Sequence, residues 1–208
     1  MPSKGIVYYT DHHCQENILS AVRINLSRMG LPIVSVSHEK LEGFGKNITV
    51  DMDRGILTMF KQILIGLEAS KSKIIFLAEH DVLYNPTHFE FTPPKKNIFY
   101  YNINTWVVNT KTKQRMIHKE MKVSMLCAYR KLLVKHYRKR VAMLEKEWRT
   151  YMMFEPGLAK NIDDYEARSW ESENPNIDLR HGNNLTGGRF GNLGGGVVVM
   201  PSNGKLGG

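Results

Sequence analysis

The sequence predicts an α/β protein with a mixed, mostly parallel central sheet flanked by helices. Three observations carry that expectation. The chain opens as strand, helix, strand, over residues 5–10, 15–29 and 31–36. A second amphipathic stretch places Ile56, Leu57, Met59, Phe60, Ile63, Leu64 and Leu67 on one stripe. Directly after it comes Ile74-Ile75-Phe76-Leu77-Ala78. An apolar run without polar alternation reads as a strand buried on both faces.

Each element has its own reason. In the first helix Ile18, Leu19, Val22, Leu26 and Met29 recur at the helical period, and Gly30 and Pro32 stop it. Strand, helix and strand in that order make a βαβ unit with a right-handed crossover. Residues 41–46 read as a loop with two glycines, and 47–50 as a short strand. Asp51 and Asp53 then suit the start of the second helix. Asn85-Pro86 signals a turn, Phe89-Glu90-Phe91 reads as extended, and 98–109 as one strand or a hairpin. Residues 120–149 read as one long helix, buried through Leu126, Tyr129, Leu133, Tyr137, Val141 and Leu144. After Trp148 the pattern dissolves. Residues 174–186 form a dense polar loop, and 191–208 a Gly-rich tail expected to be flexible, leaving 1–190 as one domain.

The chemistry gathers where the apolar run ends, at Glu79-His80-Asp81. In open parallel sheets ligands bind beyond the carboxyl ends of the strands. Thr10, Asp11, His38, Glu79 and Asp81 are all expected at that edge. Clustered carboxylates suit a hard divalent cation. A solvated loop after a strand is the plainer alternative. His12 and His13 are weaker metal candidates, because adjacent side chains on an extended chain diverge. No P-loop and no GxGxxG follow the first strand, so phosphates need another holder, and a metal bridging a diphosphate is one.

The net charge of +9 favours a polyanionic partner such as nucleic acid, an anionic substrate or a membrane surface. Arg130, Lys131, Lys135, Arg138, Lys139 and Arg140 concentrate it on the long helix. They read as a solvated face or as a docking surface for a polyanion. No apolar run reaches the ~18–20 residues of a membrane span. The chain start lacks a signal peptide's pattern. Cys14 and Cys127 are far apart and not in a metal spacing, so both are expected to be reduced. A cytoplasmic location, or one peripheral to a membrane, is the expectation.

This order of elements resembles a compact nucleotide-sugar glycosyltransferase of the GT-A fold, family 2-like, over roughly residues 4–190. In that family a short acidic motif ends a buried strand and binds the metal that bridges the sugar nucleotide's phosphates. Glu79-His80-Asp81 stands in that position, with Glu where Asp is common. Arg54-Gly55 before the second helix is also similar. The resemblance implies that Thr10, Asp11, His38, Arg54, Glu79, His80, Arg180 and Arg189 bind the nucleotide sugar. It implies Mn²⁺ or Mg²⁺ held by Glu79, Asp81 and the late His181. Charge develops on the departing diphosphate during transfer, and Arg180 and Arg189 suit it electrostatically. An inverting mechanism needs a carboxylate base, and a retaining one, equally compatible with the sequence, does not. Glu155 is the candidate, with Asp163 and Asp164 as rivals. The donor is expected to be UDP-linked. The acceptor is a hydroxyl, either on a modified DNA base, as in phage-type modification, or on a bacterial envelope glycan. The rival functions are a non-catalytic nucleic-acid-binding protein using the basic 130–140 helix, and a metal-dependent nucleotidyltransferase.

Overall fold

The computed structural model describes residues 2–147, 155–158, 162 and 165–182. The first half runs β1 (Lys4–Thr10), α1 (Glu16–Ser27), β2 (Ile33–Ser37), β3 (Lys46–Thr49), α2 (Ile56–Ala69), β4 (Ile74–Glu79) and β5 (Val82–Leu83). The second half runs α3 (Pro86–Glu90), β6 (Ile98–Asn102), β7 (Thr105–Asn109), β8 (Arg115–Ile117), β9 (Leu126–Tyr129), α4 (Arg130–Lys146), β10 (Glu166–Trp170) and β11 (Asn176–Arg180).

The main sheet has seven strands in the order β10-β6-β9-β4-β1-β2-β3. All neighbours are parallel except those of β9, which runs antiparallel to β4 and β6. The α/β class, with a mixed, mostly parallel sheet flanked by helices, is therefore as the sequence indicates. Successive residues point to opposite faces of a strand. On one face Ile6, Tyr8, Ile74 and Phe76 meet Ile18, Val22 and Leu26 of α1. On the other, Val7, Ile75 and Leu77 meet Phe60, Ile63 and Leu67 of α2 and Leu133 and Tyr137 of α4. Burying a large aliphatic side chain stabilises by about 1.5–3 kcal/mol. These two-sided strands are thus the main source of stability. Helix α2 approaches the sheet closely at Gly66, where a Cβ would lie 2.5 Å from Val7 Cγ1.

The winding of the chain creates a crevice. Strand β1 pairs with β2 on one side and with β4 on the other. The connecting helices α1 and α2 lie on opposite faces. The tips of β1 and β4 are therefore the topological switch point, where such sheets bind ligands. A second sheet, in the order β5-β11-β7-β8, brings a distant segment to this place. Strand β11 runs antiparallel to β5, with Asp178 opposite Val82. The Leu179 N–H donates to the Asp81 carbonyl at 2.8 Å. Residues 178–181 are thereby laid along the acidic turn after β4.

Several sequence expectations are corrected. Phe89 and Glu90 are helical, because the Asn85 side chain accepts from the Thr87 N–H and Pro86 occupies the first turn. Residues 98–109 are two strands in different sheets, not a hairpin. The Asn102 carboxamide accepts from the Asn104 N–H at 3.0 Å and turns the chain between them. The long helix starts only at Arg130. Leu126 and Tyr129 belong to β9, inserted between β4 and β6 after a turn of 3₁₀ helix at Val123–Met125. Helix α2 is preceded by Gly55 and has no side-chain cap from Asp51 or Asp53. The region after Trp148 contains β10 and β11.

Candidate active site

Asp11 follows β1 at the crevice. Its Oδ2 accepts from Arg54 Nε at 2.6 Å, and its Oδ1 accepts from the His13 N–H at 3.0 Å. Burial works against the charge, but these bonds outweigh it and hold the carboxyl below its usual range. The pair ties the loop before α2 to the tip of β1. Thr10 is buried; its hydroxyl accepts from the His12 N–H, and its carbonyl accepts from Gln62 Nε2 of α2. These bonds shape the turn, in which His12 has a left-handed φ of 59°. His38 follows β2, half-buried, and its Nε2 has no hydrogen-bond partner among the described residues.

Glu79 ends β4. Its Oε1 accepts from the Tyr9 hydroxyl at 2.6 Å, and its N–H donates to the Tyr84 hydroxyl at 3.0 Å. Tyr84 is itself clamped by Asn25, which bonds both its N–H and its carbonyl. Burial, then the charge of Asp81, push the Glu79 carboxyl up to about 8. It is a neutral acid at neutral pH.

Asp81, in the turn beyond, is the opposite case. Burial would raise it, but His181, His80 and Arg180 hold it below the ordinary carboxylate range. Its Oδ2 lies 3.7 Å from His181 Nε2. His80 is 4.0 Å from Asp11 through Nδ1. Burial lowers the His80 pKa despite the Asp81 and Asp11 charges, so its ring is neutral and keeps a lone pair. Arg180 bonds Asp178 at 3.1 Å, and Lys122 bonds the same carboxylate at 2.7 Å. This buried anchor fixes Arg180 beside the turn.

Glu155 sits between α4 and β10. Burial pushes its carboxyl up to about 7, with Arg140, the Val123 backbone N–H and Lys122 opposing. It is near enough to Glu79 to add to that group's shift. The neighbouring Pro156 carbonyl accepts from the Tyr101 hydroxyl at 2.7 Å, which fixes this turn over the sheet. Arg140 is 1% exposed and lies over the Phe60 ring at 4.8 Å.

The structure thus brings Asp11, Arg54, Glu79, His80, Asp81, Arg180 and His181 to one crevice. Arg189, Asp163, Asp164, Trp148 and the 191–208 tail lie outside the described residues. Trp170 stacks on Phe91 at 4.1 Å, a packing role. On the basic helix, Arg138 pairs with Glu68 at 2.7 Å and Lys135 bonds the Tyr165 hydroxyl at 2.8 Å. Cys14 is the residue that sequence spacing does not reveal. Its sulfur and one ring nitrogen each of His80 and His181 lie within 4.8 Å of one another. Burial and the Asp81 charge push its thiol up to about 11. The only sequence signal for it was its place three residues after Asp11, on the loop from β1.

No protein-family model matches this sequence, and no curated protein matches it. Among solved structures the chain is similar to the bifunctional IspDF of Campylobacter jejuni. That match has 10% identity and a TM-score of 0.48, and covers 82% of this chain and 50% of that one. It is similar to the glycosyltransferase GlyE of Streptococcus pneumoniae, with 12% identity and a TM-score of 0.44, covering 80% of this chain and 45% of that one. It is also similar to S. aureus TarS 1-349, with 6% identity and a TM-score of 0.45, covering 85% and 60%. The chain spans about half the length of the first of these structures. Similarity this weak assigns no activity to the chain.

Proposed function

We propose that this chain is a nucleotide-sugar glycosyltransferase of the GT-A type, with its donor held at the tips of β1 and β4. One observation carries the reading. At the switch point of the sheet an ionised Asp81 stands 3.7 Å from His181, a residue 100 positions later in the chain. Proteins bury charge at a cost, and an ionised carboxylate beside imidazoles in a crevice marks a functional site.

A divalent cation fits here. Asp81 offers a charged oxygen and His181 a ring nitrogen, and phosphate oxygens and water would complete the shell. Mn²⁺ or Mg²⁺, held by Asp81 and His181, would supply charge neutralisation for the departing diphosphate. Glu79 supports this site from behind, where its Oε1 accepts from the Tyr9 hydroxyl. The chain's own cations add to the field. Arg54 is fixed by Asp11 and Arg180 by Asp178, so both guanidinium groups are preorganised at small entropic cost. His38 and His80 are proposed to meet the base and ribose, and Thr10, buried beneath them, to shape the turn at that edge. Arg189 is assigned to the same anion by its place late in the chain.

Glu155 is the proposed base for the acceptor hydroxyl. A carboxyl with a pKa of about 7 is poised to accept a proton at neutral pH. The donor is proposed to be UDP-linked. The acceptor is proposed to be a hydroxyl of a polyanion or a surface glycan, in keeping with the net charge of +9 and the cationic face of α4. No helix among the described residues is long and apolar enough to cross a membrane, which leaves the proposed cytoplasmic setting open.

The test is thermal unfolding against UDP, GDP, ADP and CDP, each with and without Mn²⁺. Ligands that bind only the folded state raise the midpoint by mass action. The expected result is a metal-dependent rise with one nucleoside diphosphate. No rise with any of them at millimolar concentration overturns the reading.

A further inference from the structure

We propose that Cys14, His80 and His181 form a site for a thiophilic divalent cation of the zinc class, filled without any nucleotide. The three residues come from separate loops: Cys14 between β1 and α1, His80 beyond β4, and His181 beyond β11. Their donor atoms lie within 4.8 Å of one another, at partly buried positions. Ligand atoms around a tetrahedral zinc ion stand about 3.3–3.8 Å apart, given bond lengths of ~2.0–2.3 Å. Rotamer adjustments of about 1 Å therefore close the triangle.

The donor set decides the class of metal. One sulfur with two imidazole nitrogens favours Zn²⁺ or Co²⁺ over the hard cations, which prefer oxygen. Two carboxylates stand beside the trio. Asp81 Oδ2 is 3.7 Å from His181 Nε2, and Asp11 Oδ1 is 4.0 Å from His80 Nδ1. At these distances the carboxylates balance the charge of the ion, and the same rotamer adjustment would let them hydrogen-bond the imidazoles. Ring stacking does not account for the meeting of the two histidines, whose centroids are 6.0 Å apart and tilted by 48°.

The site rests on the reading above for the position of the metal, since His181 belongs to both, and departs from it in the class of ion and in needing no nucleotide. Binding replaces the proton on Cys14: the thiol and the divalent ion give a metal thiolate, and the proton leaves to solvent. Cys127, fully buried in β9, takes no part.

The test is titration of the full chain with Co²⁺ alone, followed by absorption, with proton release measured in parallel. The expected result is a near-ultraviolet thiolate-to-cobalt band at one equivalent, with about one proton released and full displacement by Zn²⁺. Cys14→Ser and Cys14→Ala lose the band and weaken binding by more than ~10-fold, whereas Cys127→Ala keeps it. Circular dichroism of each variant confirms its fold. A cobalt complex without the thiolate band, or a band that survives both Cys14 variants, overturns the proposal. If that happens while a nucleoside diphosphate still raises the midpoint with Mn²⁺, the thiol site fails and the transferase reading stands. A Cys14-dependent cobalt site in a chain that answers no nucleotide supports the thiol site and overturns the transferase.

Discussion

The two sides of the β4 tip treat a carboxyl group in opposite ways. Toward α2 and α4, Glu79 faces Tyr9 and Glu155 is packed near Arg140; burial pushes them up to about 8 and about 7. Toward the small sheet, Asp81 is buried as well, yet it stays ionised because His181, His80 and Arg180 stand around it. Depth alone does not set protonation; the charged partners that the fold delivers do. One side holds protons near neutral pH, and the other keeps a buried negative charge, which is the proposed seat of a cation.

The largest effect that sharpens this comparison is expected at Glu155. As a base it acts ionised, so the rate rises as pH passes through about 7. Glu155→Gln is expected to lower turnover by about 10²–10⁴ and to remove that ascending limb. The check is a pH–rate profile with the donor found by thermal shift. A profile unchanged in the variant sinks the assignment.

A smaller effect is expected from Glu79. Its native pKa of about 8 lies above the ordinary 4.5, so between these values the folded state holds a proton that the unfolded state has lost. Stability therefore falls as pH rises across that window. Glu79→Gln keeps the shape and removes the titration. From pH 5 to pH 8 the wild type is expected to lose more than about 1 kcal/mol relative to the variant, measured by urea unfolding. Parallel curves would contradict the neutral-acid assignment.

The contrast also explains what the sequence made legible. Strands β1, β2 and β4 and helices α1 and α2 carry apolar patterns strong enough to read, because both faces of the sheet are buried there. Their order alone places Asp11, Glu79 and Asp81 at one edge. Strand β10 is largely exposed at the sheet edge and β11 is polar, so neither has a pattern to find. Strand β9 was hidden because Leu126-Cys127-Ala128 runs straight into a helix with matching apolar spacing. His181 was readable as a late histidine in a polar loop, but its approach to Asp81 depends on the pairing of β11 with β5. For Cys14 the sequence offered only its place three residues after Asp11, since its neighbours His80 and His181 arrive from other strands. The protonation states depend on burial and partners, which exist only in the folded chain.

The most direct test is Mn²⁺ binding, followed by electron paramagnetic resonance with the stabilising nucleoside diphosphate, in wild type, Glu79→Gln and Asp81→Asn. Glu79→Gln is expected to bind within about threefold of wild type and Asp81→Asn more than ~10-fold more weakly. Wild-type affinity in Asp81→Asn, or loss of binding in Glu79→Gln alone, would contradict the division of labour between the two carboxyl groups.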